Sequence, residues 1–197
     1  MTAIGASELV LIRHAPADHG GRLVGRTDVP ALLPEPGALA PLVRLLSGAR
    51  VVTSPALRCR QTAEALFPGA EAPQDARLWE QDFGAEDGLP FAELPDLGPL
   101  SRGALATRRP PGGESFTDLV SRCRPALEEL AGEAAKGQGP IAVVAHAGVA
   151  RAGLSLALGL PDAGLAFEIA PLSLTRLRAY DGGLSVIACN VTGQLSA

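Results

Sequence analysis

The chain has 197 residues, of which 47% are hydrophobic and 19% are charged, and its formal net charge is −4. This length and composition suit one soluble globular domain, and the weakly negative charge gives no basic surface for nucleic acid or an anionic membrane. No apolar run approaches the roughly 18 residues of a membrane span, and no signal peptide is visible at the N-terminus. The three cysteines are too few and too widely spaced for a disulfide framework or a zinc site: Cys59, Cys123 and Cys189. We therefore expect a cytoplasmic protein that binds neither nucleic acid nor membrane.

Short apolar runs alternate with segments of helical period along the chain. The predicted elements, in chain order, are a strand at 8–12, a helix at 38–48, a strand at 49–54, a helix at 54–67, a long helix at 116–130, a strand at 140–145, a helix at 149–160 and two strands within 172–190. Strands that alternate with helices predict an α/β domain with a mostly parallel sheet and an antiparallel strand near the end. We expect this single domain to cover residues 1–197.

Three local signals refine these elements. Ser54 and Pro55 predict the N-cap and the first position of the second helix. Pro125 predicts a kink or a break in the long helix. Segment 69–113 is rich in proline, glycine and aspartate and has little periodicity, so it predicts an irregular, lid-like excursion over the sheet.

Chemistry-bearing side chains follow three separate strands. The first strand runs into Arg13 and His14 at its carboxyl end, and His146 lies at the carboxyl end of the third. Arg58 lies in the first turn of the helix that follows the second strand. Because ligands of open α/β sheets bind outside the carboxyl ends of the strands, we expect these four side chains to meet in one crevice.

This set of residue types favours phosphate over a metal ion. Arginine cannot ligate a metal, and its charge repels a cation, whereas its guanidinium binds phosphate oxygens in a bidentate manner. A neutral imidazole can attack phosphorus. The sequence therefore predicts a phosphate-ester site without a metal or another cofactor.

Four motifs in this chain resemble those of the histidine phosphatase superfamily, in family order and over nearly the whole length. They are LIRHA, TSPALRCRQTAEAL, LWEQDFGAEDG and VVAHAGVAR. The first is similar to the Arg-His-Gly signature, with Ala15 in place of the usual glycine. The resemblance implies a phosphoglycerate mutase-like three-layer α/β/α sandwich.

The resemblance also implies a role for each of the four side chains. His14 attacks phosphorus and becomes a phosphohistidine. Arg13, Arg58 and His146 hold the phosphoryl oxygens. Glu80 matches the glutamate that protonates the leaving group, although Asp82, two residues away, remains open as an alternative donor.

Further substrate contacts are expected around this centre. Ala147, which follows His146, and Arg26 and Thr27, in the loop after the nucleophile, are the candidates. Three arginines in the excursion either bind a second anionic group or form a solvated loop: Arg102, Arg108 and Arg109.

Within the superfamily, GRTDVP, DFGAEDG and RRPPGGESFTDL look most like alpha-ribazole-5'-phosphate phosphatases of cobalamin biosynthesis. Those enzymes usually carry Trp-Glu where this chain has Glu86-Asp87. This departure is expected to place an acidic residue at the pocket rim, which counts against a nucleotide-like substrate.

The expected activity is therefore that of a phosphoric monoester hydrolase acting on a small organic phosphate ester. A phosphoglycerate mutase-type phosphotransferase and a non-catalytic phosphate-binding module remain open alternatives. A homodimer also remains open.

Overall fold

The computed structural model of the chain describes residues 2–192. Met1 and residues 193–197 of the predicted domain lie outside the described residues. The helices and strands are, in chain order, β1 (Glu8–Arg13), α1 (Pro36–Leu45), β2 (Arg50–Thr53), α2 (Leu57–Leu66), α3 (Arg102–Thr107), α4 (Phe116–Ala134), β3 (Ile141–Ala145), α5 (Ala147–Leu158), β4 (Leu174–Tyr180) and β5 (Gly183–Val191).

One sheet carries the fold, with the strand order β2-β3-β1-β4-β5. Strand β3 pairs in parallel with both β1 and β2, whereas β4 pairs antiparallel with β1 and with β5. Four strands consequently run in one direction and β4 runs against them. The predicted mostly parallel sheet with an antiparallel strand is confirmed, and the carboxyl ends of β1, β2 and β3 lie at one edge.

Helices cover both faces of the sheet. Successive side chains of a strand point to opposite faces, so Leu9 and Leu11 of β1 pack on the core beneath α4 and α5. Val10 and Ile12 pack on the other core, beneath α1 and α2. The α/β fold with three layers is confirmed. None of the helices within residues 2–192 is long and apolar enough to cross a membrane.

The predicted cap of the second helix is wrong, and so is a break of the long helix at Pro125, whereas a kink there stays a prediction. Helix α2 begins at Leu57 rather than after a Ser54 cap, and the residue before it is Ala56. The Ser54 hydroxyl contacts His146 instead. Helix α4 continues through Pro125, because this residue lies on the exposed face while its neighbours Cys123 and Ala126 are buried against the sheet. Packing of the apolar face outweighs the one lost backbone hydrogen bond.

Segment 69–113 contains helix α3 and three short 3-10 helices at Ala76–Leu78, Gly84–Glu86 and Phe91–Glu93. Its first part runs toward the carboxyl edge of the sheet, where the Gln74 backbone bridges to Thr53 at the end of β2. Trp79, Glu80 and Asp87 belong to this segment and contact the residues described next.

Candidate active site

The three strand ends bring the predicted side chains together. His14 follows β1, and His146 separates β3 from α5. The two imidazole rings lie 5.2 Å apart, centroid to centroid, in an edge-to-face arrangement. Arg58, in the first turn of α2, has its Nη2 atom 3.4 Å from Nδ1 of His146. The geometry therefore places His14, Arg58 and His146 in one cluster, and Arg13 lies close enough for its charge to act on both histidines.

His14 is held as a neutral imidazole, and one of its nitrogens has no hydrogen-bond partner among the described residues. Its Nδ1 lies 2.6 Å from the Ala15 carbonyl oxygen, and its side chain is buried. Because a carbonyl oxygen only accepts, Nδ1 carries the proton and Nε2 carries the lone pair. Burial lowers the pKa of His14 to about 3, and the charges of Arg58 and Arg13 act in the same direction. The Nε2 lone pair is consequently available at neutral pH.

His146 is also buried and neutral. Its Nδ1 accepts from Arg58, so its Nε2 proton is donated to the Ser54 hydroxyl at 2.9 Å. Burial lowers the pKa of His146 well below its usual value, and the positive charge of Arg58 adds to this effect. Sequence reasoning missed this role of Ser54, although the position of Ser54 at the carboxyl end of β2 indicates that it lies at the site.

The two lowered pKa values predict an acid-sensitive fold. A buried histidine that stays neutral contributes stability above its unfolded pKa of about 6.5, and this contribution is lost as the pH falls from there toward about 3. For His14 alone, we expect the free energy of unfolding to fall by about 2 kcal/mol between pH 7 and pH 5. Urea unfolding at the two pH values measures this loss.

A matched pair of variants assigns the loss of stability. His14→Gln removes the titrating group and should unfold with a smaller difference between pH 7 and pH 5 than the wild type. His19→Gln, whose ring is partly exposed against Phe91, should keep the wild-type difference. Equal pH dependence in all three proteins would contradict the assignment to His14.

Both arginines of the cluster keep part of their hydrogen-bonding capacity unused. Arg13 donates from Nη1 to the Ile169 carbonyl oxygen at 2.5 Å. Arg58 donates from Nη2 to the Gly25 carbonyl at 2.7 Å and from Nη1 to the Thr27 carbonyl at 3.1 Å. Within residues 2–192, the buried Nε atoms of Arg13 and Arg58 have no hydrogen-bond partner.

Glu80, rather than Asp82, faces the cluster. Its carboxylate accepts from the Gly148 amide at 3.4 Å, two residues beyond His146. A Cβ atom at Gly148 would lie 2.2 Å from Oε1 of Glu80, so a larger residue here would displace the Glu80 carboxylate. Asp82 instead accepts from the Gly84 amide at 2.8 Å within its own turn.

An ion pair that sequence reasoning missed supports the backbone of Glu80. Arg122 of α4 donates to the Trp79 and Glu80 carbonyl oxygens, each at 3.1 Å, and to the Glu114 carboxylate at 2.7 and 2.8 Å. Glu114 also accepts from the Asp82 amide at 3.2 Å. Burial acts to raise the pKa of Glu114, but the hydrogen bonds from Arg122 and from the Asp82 amide together outweigh it and hold this pKa below its usual value. In the sequence, this contact is indicated by the position of Arg122 three residues after Leu119, which places it near the buried face of α4.

Arg26 lies beside the cluster on an aromatic platform. Its guanidinium carbon is 5.5 Å from the Trp79 ring centroid, and the Trp79 ring lies nearly parallel to that of His146 at 6.3 Å. The buried Nε of Arg26 has no hydrogen-bond partner in the described part of the chain. Thr27 is exposed beside it, and Ala147 is the first residue of α5, next to His146.

The acidic residues that replace Trp-Glu both form contacts within the protein, and their place at the pocket rim stays a prediction. Glu86 is 7% exposed and forms an ion pair with Arg108. Asp87 accepts from three backbone amides of the loop at 25–27. Their carboxylates are therefore occupied within the protein.

The other two arginines of the excursion are also paired with carboxylates. Arg102 contacts Asp162 at 3.1 Å, and Arg109 contacts Asp118 at 2.6 Å. These contacts favour a structural role over recognition of a second anionic group. Among residues 2–192, no group of three or more His, Cys, Asp or Glu side chains is arranged to hold a metal ion.

The family model described as "Histidine phosphatase superfamily (branch 1)" matches residues 9–192. This chain belongs to the histidine phosphatase superfamily. It is 33% identical over 176 residues to glucosyl-3-phosphoglycerate phosphatase of Mycobacterium tuberculosis, covering 80% of this chain and 78% of that protein. It is 37% identical over 158 residues to a bifunctional protein of the same organism, covering 75% of this chain. The chain spans only 42% of the length of that bifunctional relative.

Solved structures of the superfamily superpose along most of the chain. A mycobacterial glucosyl-3-phosphoglycerate phosphatase in complex with VO3 has a TM-score of 0.80 at 29% identity, covering 94% of this chain and 99% of that one. An alpha-ribazole phosphatase from Shigella flexneri has a TM-score of 0.78 at 18% identity, covering 93% of this chain and 96% of that one. The second similarity shows the shared fold alone.

Proposed function

We propose that this protein is a phosphomonoesterase that hydrolyses a small organic phosphate ester through a phosphohistidine at His14. The observation that carries the proposal is the neutral His14 ring, whose Nε2 has no hydrogen-bond partner among residues 2–192, in one cluster with the buried Arg58 and the half-buried Arg13. The Nε atoms of Arg13 and Arg58 have no other hydrogen-bond partner within the described chain. Membership of a phosphatase-containing superfamily supports the same reaction.

The proposed reaction has two steps. The Nε2 lone pair of His14 forms a bond to phosphorus, while the ester P–O bond breaks and its electron pair leaves on the alkoxide. The carboxyl group of Glu80 gives this oxygen a proton. Water then attacks the phosphohistidine, its proton passes to the Glu80 carboxylate, and the N–P bond breaks to restore His14.

Fixed positive charge stabilises both steps. At about 4 Å and an effective dielectric constant near 20, one pair of unit charges contributes roughly 4 kcal/mol before desolvation. Arg13 and Arg58 hold the phosphoryl oxygens in this way, and the N-terminus of α5 adds backbone dipoles beside His146. His146 completes the pocket wall.

Three observations bear on the substrate. The motifs of the loop at 25–30 and of residues 82–88 favour alpha-ribazole 5'-phosphate, whereas the relative that is 33% identical is a glucosyl-3-phosphoglycerate phosphatase. Arg26 stacks on Trp79 and lies 3.9 Å from the Glu114 carboxylate, but its Nε has no hydrogen-bond partner within the described residues and is suited to a second anionic group of the substrate. We propose a small ester of this kind and expect a panel with these two compounds to rank them.

A trapped phosphoenzyme tests the proposed function. In excess EDTA, the purified protein should release phosphate from p-nitrophenyl phosphate, and an acid-free quench should recover protein-bound phosphate. That phosphate should be labile in acid and stable in base, as expected of a phosphoramidate bond to histidine. No phosphate release from any ester of the panel, or an acid-stable phosphoprotein, would contradict the proposal. Transfer to an added alcohol in preference to water would indicate the phosphotransferase instead.

A further inference from the structure

The side chain of Asp87 gathers three consecutive backbone amides. Its Oδ2 accepts from the Arg26 amide at 2.6 Å and from the Thr27 amide at 3.2 Å, while its Oδ1 accepts from the Gly25 amide at 3.2 Å. Successive N–H groups that converge in this way form a concave anion site in the backbone. The carboxylate thus fixes the conformation of the loop at 25–27 from a position 60 residues further along the chain.

The same loop holds Arg58. Its Gly25 and Thr27 carbonyl oxygens accept from the Arg58 guanidinium at 2.7 and 3.1 Å. The Gly25 carbonyl and the Arg26 amide belong to a single peptide unit, so one peptide group connects the Asp87 carboxylate to Arg58. Hydrogen bonds in such a chain polarise one another. Asp87 therefore acts on Arg58 through the backbone, without a direct ion pair that would neutralise it.

The surroundings of Asp87 keep its carboxylate in place. On one side, Glu86 is buried in its ion pair with Arg108. On the other side, the Gly88 amide donates to the Leu23 carbonyl at 2.7 Å, and the Leu23 amide donates to the Leu89 carbonyl at 2.9 Å. Both flanks are thus tied to the rest of the fold.

We propose that Asp87 is a positioning residue that orients Arg58 toward the phosphoryl group through the loop at 25–27. This inference rests on the proposed function, because it assigns Arg58 to phosphoryl binding. It also assigns a role to each residue of the Glu86-Asp87 pair: Glu86 anchors the segment through Arg108, and Asp87 orders the loop at 25–27.

Orthophosphate binding, measured by titration calorimetry, tests the inference without requiring turnover. Asp87→Asn replaces one carboxylate oxygen by an amide donor, which opposes the loop amides. We expect its orthophosphate affinity and its kcat/KM to fall roughly 10- to 100-fold, the loss associated with a misplaced binding group. Asp96→Asn is the matched control, because Asp96 accepts from a single amide of an exposed turn in the same segment. It should bind orthophosphate as the wild type does.

A double-mutant cycle separates positioning from a general structural effect. In an Arg58→Lys background, Asp87→Asn should lower orthophosphate affinity by less than about threefold, because the fork that Asp87 orients is gone. Asp87→Glu keeps the charge and should cause a smaller loss than Asp87→Asn, again only while Arg58 is present. If Asp87→Asn does not fold, the orthophosphate affinity of Asp87→Glu, measured with and without Arg58→Lys, tests the positioning role instead.

The outcomes distinguish the two proposals. Equal orthophosphate affinity in the wild type and Asp87→Asn would overturn the positioning role alone. An equal loss in the Arg58 and Arg58→Lys backgrounds would also overturn it, because the two effects would then be independent. A wild type that binds no orthophosphate would overturn the proposed function and this inference with it.

Discussion

Replacing His14 by alanine is expected to abolish phosphoenzyme formation and to lower kcat by at least about 10⁴-fold, as loss of the nucleophile does in other covalent catalysts. The expected loss follows from the role of His14, which supplies the Nε2 lone pair that attacks phosphorus while its Nδ1 proton is donated to the Ala15 carbonyl oxygen. His146 cannot replace His14 as the nucleophile, because its two ring nitrogens form hydrogen bonds with Ser54 and Arg58. Steady-state turnover of p-nitrophenyl phosphate and the phosphoprotein trap measure the two effects.

The effect of His14→Ala must be distinguished from a loss of folding. His19→Ala is the matched control, since this histidine lies outside the cluster and packs its ring against Phe91. It should turn over p-nitrophenyl phosphate at the wild-type rate. His14→Ala should still bind orthophosphate, because Arg13 and Arg58 are unchanged. Retention of more than about a tenth of the wild-type kcat by His14→Ala would remove His14 from the mechanism, given the 10⁴-fold expectation.

The histidines and Arg58 of the cluster could be predicted because the ends of buried strands can be identified in the sequence. Apolar runs identify β1 and β3, and the runs are followed by Arg13-His14 and by His146. The parallel pairing of β3 with β1 and β2 then places these ends at one edge without any knowledge of loops. Arg58 follows from the same rule, because it lies in the first turn after β2.

The contacts of the excursion could not be predicted, because they join residues that no local period connects. The Asp87 amide contacts cross about 60 positions, and the Arg122 contacts to Trp79 and Glu80 cross more than 40. Ser54 illustrates the same limit at short range. Its residue type favours a helix cap, but the buried His146 needs an acceptor, and a buried unpaired donor is more costly than a missing cap.

Replacing Glu80 by glutamine is expected to have an effect that depends on the leaving group. Glutamine cannot transfer a proton, so the first turnover of an alkyl ester such as glycerol 2-phosphate should slow by about 10³-fold, within the range of general acid catalysis. The first turnover of p-nitrophenyl phosphate should slow by less than about tenfold, because p-nitrophenolate is a weak base that leaves without protonation. Rapid-quench measurement of the first turnover keeps phosphoenzyme hydrolysis out of the comparison.

Asp82→Asn provides the comparison that decides between the two carboxylates. Asp82 accepts from the Gly84 amide, and asparagine keeps an oxygen for that contact, so both esters should react nearly as in the wild type. Glu80, by contrast, lies against the N-terminus of α5 through the Gly148 amide, beside His146. If Asp82→Asn slowed only the alkyl ester while Glu80→Gln slowed both esters equally, Asp82 would be the donor. The contact of Glu80 with Gly148 would then serve to anchor the segment.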